Sequence, residues 1–125
     1  MKPEFNFAFK DLKVRHKAIN FADDIISVSE NLNTKREHFR LVEQMEAAAT
    51  SIPMNIAEGK GRDSKKEFVR FLYIARGSLY EVITLSIIFE RRNWIDSETL
   101  YKIEKNGYEI ASMIKGLINS IKKTY

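Results

Sequence analysis

Metal binding and nucleophilic catalysis need histidine, cysteine, serine and carboxylate side chains at particular spacings, and this sequence offers few such combinations. It has two histidines, His16 and His38, and no cysteine. A carboxylate-bridged metal site in a helical bundle uses Glu-x-x-His pairs, whereas Lys13 and Lys35 stand three residues before the two histidines. No serine lies in a Gly-x-Ser-x-Gly motif, which presents a nucleophile on a sharp turn. We therefore expect a protein that is not an enzyme and has no catalytic residue, metal, cofactor or small-molecule substrate.

The segment Gly59-Lys60-Gly61-Arg62 superficially resembles a phosphate-binding loop. In such a loop a strand precedes the glycines, and a Lys-Ser or Lys-Thr pair enters the following helix. The sequence shows neither feature here, so a turn that ends a helix is the better interpretation. We expect Gly59 to be the residue with positive φ that commonly follows a helix.

Positive charge is concentrated around this turn. Residues 1–60 contain nine Lys and Arg against nine Asp and Glu, and residues 61–125 contain twelve against eight, so the second half carries the whole net charge of +4. Such cations can follow a phosphate backbone while neighbouring aromatic rings stack on exposed bases. They can also form a solvated helix face whose long side chains cover apolar surface, and both interpretations stay open. The candidate nucleic-acid-binding residues are Lys60, Arg62, Lys65, Lys66, Arg70 and Arg76.

Length and composition bound the architecture. The 125 residues are 44% hydrophobic and 30% charged, which is typical of one folded domain and not of a disordered tail. Five Gly and two Pro are few for a turn-rich β-sandwich, and the lack of cysteine excludes disulfides, thiolate zinc sites and iron–sulfur clusters. The most apolar stretch, residues 82–89, is shorter than the ~20 residues of a membrane span. We expect a cytoplasmic protein with no membrane partner.

Apolar side chains recur at three- and four-residue steps in four segments, which predicts four helices with short connections. The first helix begins after Asp11. The second begins near Arg36 and is kinked or interrupted at Pro53, because proline cannot donate a backbone hydrogen bond. The predicted fold class is all-α, an antiparallel up-and-down four-helix bundle. Residues 1–125 form one domain, in which residues 1–10 are expected to be an extended N-terminal arm.

The third and fourth predicted helices have the clearest signals. Ser64 and Glu67 fit a capping box, in which two side chains satisfy otherwise unpaired backbone donors. The fourth helix begins at Asp96 or Ser97, and Gly107 on its apolar seam permits a close helix approach. The third helix carries more than one apolar stripe, which indicates that it is central or shared with a second copy of the chain. The predicted oligomer interface consists of Val69, Tyr73, Tyr80, Ile83 and Ile87.

The segment 51–59, which reads Ser-Ile-Pro-Met-Asn-Ile-Ala-Glu-Gly, resembles the signature of the 23S rRNA intervening-sequence protein family. The likeness continues through Gly61-Arg62 and residues 64–81, and residues 11–18 resemble the opening motif of the family. The resemblance implies a small helical protein, encoded within insertions in bacterial ribosomal RNA genes, that forms ring-like homo-oligomers, in particular pentamers. The family also resembles the accessory variability determinant of diversity-generating retroelements, a basic pentamer implicated in nucleic-acid binding. The signature residues, for which we expect structural roles, are Ser51, Pro53, Asn55, Glu58 and Gly59.

The sequence departs from the family pattern at several positions. Arg15 replaces an aromatic residue, and Lys60 replaces a large residue between the two glycines. Glu46 and Ala47 replace a pair of arginines, which removes positive charge from the second helix. If those arginines contact nucleic acid in the family, this protein is expected to bind it more weakly or to use the third helix instead.

Two hypotheses about local roles and two about function follow. We expect Asn55 and Glu58 to fasten the kink to the neighbouring helix, and Gly77 and Ser78 to allow a close helix crossing. The leading functional hypothesis is a non-enzymatic homo-oligomeric scaffold that binds RNA or DNA through a basic surface. The alternative is a protein–protein interaction scaffold without nucleic-acid binding.

Overall fold

The computed structural model describes residues 12–125 and contains four α-helices and a short 3-10 helix, with no strand in that range. The all-α fold class predicted from the sequence is confirmed. The predicted arm, residues 1–10, lies outside the described residues, as does Asp11. The elements are α1 (Lys13–Glu30), the 3-10 helix (Arg36–His38), α2 (Phe39–Lys60), α3 (Lys65–Arg91) and α4 (Ser97–Lys122).

Each helix packs against the next one in the chain, and α4 closes the bundle against α1. Within residues 12–125 the diagonal pairs, α1 with α3 and α2 with α4, have no close backbone approach. The α1–α2 connection meets the α3–α4 connection at one end, where the backbone N–H of Asn33 donates to the carbonyl of Trp94 at 3.1 Å. Because these two connections share an end, the chain runs up and down through the bundle.

The core lies along the bundle axis and takes side chains from all four helices. Small side chains at several core positions bring neighbouring helices close together, and Ala18, Ala49 and Ala75 are completely buried. Ser86 is a buried polar side chain in this core, and its hydroxyl donates to the carbonyl of Val82 at 2.8 Å, one turn earlier. This hydrogen bond within the helix offsets the cost of removing the hydroxyl from water.

Local signals in the sequence correctly locate the starts of α3 and α4. The Ser64 hydroxyl accepts from the backbone N–H of Glu67 at 3.1 Å, and an Asp96 carboxylate oxygen accepts from the N–H of Thr99 at 2.7 Å. The second half of the predicted capping box does not form, because the Glu67 carboxylate accepts from Nε of Arg70 at 2.7 Å instead. Each cap satisfies a backbone donor that the helix itself leaves unpaired.

The predicted starts of the first two helices are shifted. Helix α1 begins at Lys13, and Leu12 occupies its N-cap position without a side-chain cap. The second α-helix begins at Phe39, because residues 36–38 form a 3-10 turn with its own bond from the N–H of His38 to the carbonyl of Lys35. Short 3-10 segments of this kind are common at helix ends.

Helix α2 continues through Pro53 without a break, so the predicted interruption does not occur, and a kink there stays a prediction. The predicted end of the helix at Gly59 is wrong. The helix extends to Lys60, Gly61 takes the C-cap position at φ −78°, and no glycine in residues 12–125 has a positive φ. Gly59 lies inside the helix and is buried.

Gly59 is needed for a close helix approach and not for a turn. A Cβ atom at this position would lie 2.7 Å from Cβ of Phe71 and 3.0 Å from Cδ1 of Phe68, both on α3. Contacts below about 3 Å between such carbons are strongly repulsive, and a Cβ atom sits too close to the backbone to turn away. The α2–α3 crossing therefore requires glycine at position 59.

The α3–α4 connection turns at Asn93, which has φ 61°, in the left-handed region that asparagine tolerates. This turn allows the N–H of Trp94 to donate to the carbonyl of Phe89 at 2.8 Å. The Trp94 indole then stacks at a tilt on the Phe89 ring, with 5.0 Å between centroids, and closes this end of the core.

Helix α3 is long and apolar enough, by length and composition alone, to cross a membrane. The expectation of no membrane partner rests on residues 82–89 alone, whereas the apolar part of α3 is longer than that stretch. Nine of the side chains of α3 are buried in the bundle, so packing within the chain accounts for much of its apolar character.

The Gly59→Ala substitution should destabilise the fold by about 1–3 kcal/mol, because the new Cβ overlaps the Cβ of Phe71. Chemical denaturation followed by circular dichroism measures the change. Gly61→Ala is the matched control: its Cβ would meet its nearest atom at 3.5 Å, so stability should stay equal or rise by up to about 1 kcal/mol. Equal effects of the two substitutions would contradict the packing role of Gly59.

Candidate nucleic-acid interface

Antiparallel packing brings three separate segments together at the end of the bundle opposite Trp94. The Lys65 ammonium lies 3.5 Å from the carbonyl of Thr124, and the Lys122 ammonium donates to the Tyr73 hydroxyl at 2.9 Å. The last turns of α4 therefore lie beside the first half of α3 and the α2–α3 turn. Three lysines of α4 and its C-terminal flank join the six cations identified from the sequence. We call this surface the basic end, and its cations are Lys60, Arg62, Lys65, Lys66, Arg70, Arg76, Lys115, Lys122 and Lys123.

Only part of this charge is neutralised by nearby carboxylates. Arg62 pairs with Glu58 at 2.6 Å, and Arg70 pairs with Glu67 at 2.7 Å. The hydrogen bond from Arg70 lowers the pKa of the Glu67 carboxyl. Within residues 12–125 the other seven cations of the basic end form no ion pair with a carboxylate.

Phenylalanine rings position several of these cations. The guanidinium groups of Arg62 and Arg70 lie 4.9 and 4.8 Å from the centroid of Phe71, and the Lys60 ammonium lies 5.7 Å from that of Phe68. A cation over an aromatic face gains about 0.5–1 kcal/mol at an exposed site. Phe68 and Phe71 are also the residues that pack against Gly59, so the close α2–α3 crossing arranges the charges of the turn as well.

Tyr73 contacts two cations from different helices. The Arg76 guanidinium is 4.9 Å and the Lys122 ammonium 5.3 Å from the centre of its ring. The hydrogen bond from Lys122 lowers the pKa of the Tyr73 phenol, and the same bond raises the pKa of the Lys122 ammonium. This cluster joins α3 to α4 and keeps two positive charges beside an exposed aromatic ring.

The histidines lie away from the basic end. His38 stacks on Trp94 with 4.7 Å between centroids, its Nε2 is 3.7 Å from a Glu37 oxygen, and His16 is exposed on α1. In the part of the chain that the structure describes, no three His, Asp or Glu side chains are grouped so that they could hold a metal ion.

The chain is similar to known proteins in both sequence and structure. A family model described as "23S rRNA-intervening sequence protein" matches residues 10–116. The chain belongs to this family. A solved structure of a protein with unknown function from the S23 ribosomal protein family of Bacteroides thetaiotaomicron is similar, with 26% identity and a TM-score of 0.78. The match covers 84% of this chain and 97% of that one. No curated protein matches the chain.

In this family member the signature segment forms the α2–α3 contact. The hydroxyls of Ser51 and Ser78 are 2.9 Å apart across the two helices. The Asn55 amide donates to both the carbonyl and the hydroxyl of Ser51, at 2.8 Å in each case. Asn55 thus acts on α3 through Ser51, whereas Glu58 pairs with Arg62 four residues later and holds the turn.

The small residues of α3 have different surroundings. Ser78 makes the close contact with α2 described above, as the sequence predicts. The same expectation for Gly77 is wrong within the chain, because Gly77 is exposed and nothing lies within 4 Å of where its Cβ would be. On α4, the prediction for Gly107 is confirmed: a Cβ there would lie 2.9 Å from Cδ1 of Ile83.

The predicted oligomer interface is divided by the fold. Val69 is 4% exposed and belongs to the core of its own chain, and Ile83 and Ile87 are half-buried. Tyr73 and Tyr80 are 39% and 53% exposed. Sequence reasoning did not select Ile74 and Ile88, which are 39% and 42% exposed, although their own helical spacing could have identified them.

The Asn55→Ala substitution should destabilise the protein by about 1–2 kcal/mol, because it removes two hydrogen bonds beside the serine contact. Glu58→Ala should cost less than about 1 kcal/mol, since it removes one exposed ion pair. Thermal and chemical unfolding of both variants measures the difference. A larger loss for Glu58→Ala would contradict the assigned roles.

Proposed function

We propose that this family member is a non-enzymatic helical scaffold that self-associates and binds RNA or DNA phosphates at its basic end. The observation that carries the proposal is the convergence of nine cations from three chain segments on one surface, against the carboxylates of Glu58, Asp63 and Glu67. Such a protein would act in the cytoplasm, where nucleic acid is accessible.

The charge distribution supports a polyanionic partner over a simple solvated face. Ion pairs are also sparse in the rest of the described chain, where Lys17 pairs with Glu109 at 2.7 Å and Lys102 with Glu98 at 3.5 Å. What distinguishes the basic end is the number of cations that lie close together there. At the basic end most lysines lack such partners and carry flexible stems that reach into solvent. Phosphate contacts from such side chains give affinity with little sequence information and release counterions on binding.

Replacing Lys65, Lys66 and Lys123 together by alanine should weaken RNA and DNA binding at least roughly tenfold at low salt. It should also reduce the slope of log K against log salt by about 2–3, because about three phosphate contacts are lost. Fluorescence anisotropy of labelled RNA and DNA across a salt series measures both quantities.

The control for this experiment removes the same charge from the other end of the bundle. The three cations Lys35, Arg36 and Arg40 lie just before α2 and in its first turn, and the 22 residues of α2 separate them from the basic end by about 30 Å. Their triple alanine variant should bind almost as tightly as the unmodified protein. Equal losses in the two triple variants, or no binding by the unmodified protein at low salt, would refute the proposed interface.

Self-association is supported by apolar side chains that the bundle leaves uncovered. Ile74 and Ile88 are fourteen residues apart on α3 and so lie on one side of the helix, with Gly77 exposed near them. Large exposed aliphatic side chains on one helix face favour a protein contact. We propose a homo-oligomer, for which the family resemblance implies five copies. Every added copy presents another basic end, so binding to a long polyanion gains from multivalency.

The unmodified protein should have a solution mass of at least twice the 14.6 kDa of one chain. Light scattering coupled to size-exclusion chromatography measures this mass. Replacing Ile74 and Ile88 by glutamine should lower that mass, because polar amides weaken the apolar contact. Ile19→Gln is the control, since Ile19 is 38% exposed but lies on α1. A monomeric unmodified protein, or an Ile74→Gln/Ile88→Gln variant of unchanged mass, would reject this part of the proposal.

A further inference from the structure

An open groove of about 720 Å³ runs between α3 and α4 on the outside of the bundle. Its floor is apolar and includes Leu79, Ile83 and Ala111. Gly107 also lines the groove, and Ile83 and Leu79 pack so closely on it that a Cβ atom there would lie 2.9 and 3.3 Å from their Cδ1 atoms.

Two tyrosines form the walls of this groove. Tyr80 projects from α3 with 53% of its surface exposed, and Tyr108 projects from α4 with 76% exposed. Exposed aromatic rings on opposite walls of an apolar groove are well suited to contact a flat aromatic group placed between them. Nucleobases are such groups, and stacking on aromatic side chains accepts any base.

Positive charge is present in the same groove. Arg76 lines it from α3 and Lys115 lines it from α4, whereas Glu104 is the one carboxylate among the lining residues. The Arg76 guanidinium lies 5.9 Å from the centre of the Tyr80 ring and 4.9 Å from that of Tyr73. Arg76 thus belongs both to the groove and to the basic end, and a bound chain can pass continuously from one to the other.

We infer that the α3–α4 groove binds single-stranded nucleic acid, with unpaired bases on Tyr80 and Tyr108 and phosphates on Arg76 and Lys115. The inference rests on the proposed nucleic-acid binding and adds a preference for single strands. Stacking needs a free base face, which a duplex does not offer along its length. The basic end, in contrast, contacts phosphates that both forms possess.

The test compares a labelled oligouridylate of about 12 nucleotides with an RNA duplex of the same length by fluorescence anisotropy. The Tyr80→Leu/Tyr108→Leu variant should bind the single strand roughly 10- to 100-fold more weakly and the duplex nearly as well as before. The Tyr80→Phe/Tyr108→Phe variant should keep single-strand binding, because the ring is retained. Tyr101→Leu is the control, since Tyr101 is 66% exposed on α4 and does not line the groove.

The outcomes separate this inference from the proposed function. If the leucine variant binds the oligouridylate normally while the Lys65, Lys66 and Lys123 variant binds both ligands weakly, the groove is refuted and the basic end stands. If the leucine variant instead has a lower solution mass, a second copy occupies the groove and the inference is overturned. If the unmodified protein binds neither RNA, both proposals fail. Circular dichroism verifies that the variants keep their helical content.

Discussion

The contact between α2 and α3 determines where most of the relevant side chains lie. At one point it depends on the missing Cβ of Gly59, which allows Phe71 and Phe68 to pack directly against the α2 backbone. Two turns earlier in α2 it depends on the paired hydroxyls of Ser51 and Ser78, with Asn55 holding Ser51 in place. The steric and polar contacts are complementary. The glycine permits the short distance between the helices, and the serine pair gives the crossing a preferred register, because a hydrogen bond weakens steeply when its partners are displaced.

The same contact organises the charges of the turn. Lys60 and Arg62 lie within three residues after Gly59, and their positive groups lie over the rings of Phe68 and Phe71, the two residues that pack against Gly59. The pairing of Arg62 with Glu58 adds a second constraint on the turn. The family signature therefore contributes to the basic end, because it fixes the backbone from which Lys60 and Arg62 project. This is a structural role with a direct electrostatic consequence.

The sequence predicted what local chemistry decides and missed what depends on helix register. The caps at Ser64 and Asp96 were predictable, because a side chain and a backbone donor three residues away suffice to form them. The role of Gly59 was not predictable. A glycine near a helix end can either end the helix with a positive φ or allow a close contact with another helix, and only the position of α3 distinguishes the two. The lysines of α4 were missed for a related reason. Lys122 meets Tyr73 across 49 residues of chain, and helical periodicity within one segment carries no information about which turn of another helix faces it.

Helix α3 combines three environments that no single stripe of side chains could supply. One side fills the core, a second forms the groove with α4, and the remaining surface carries Ile74, Gly77 and Ile88. An exposed glycine inside a helix costs about 1 kcal/mol relative to alanine, and nothing within this chain approaches Gly77 to offset that cost. Exposed isoleucines beside it add a cost in unburied apolar surface. Both costs disappear if another copy of the chain packs closely on this side, while the groove on the α4 side stays open to nucleic acid. The arrangement of α3 thus leaves separate surfaces for the proposed self-association, at Ile74 and Ile88, and for the proposed nucleic-acid binding, at the groove with α4.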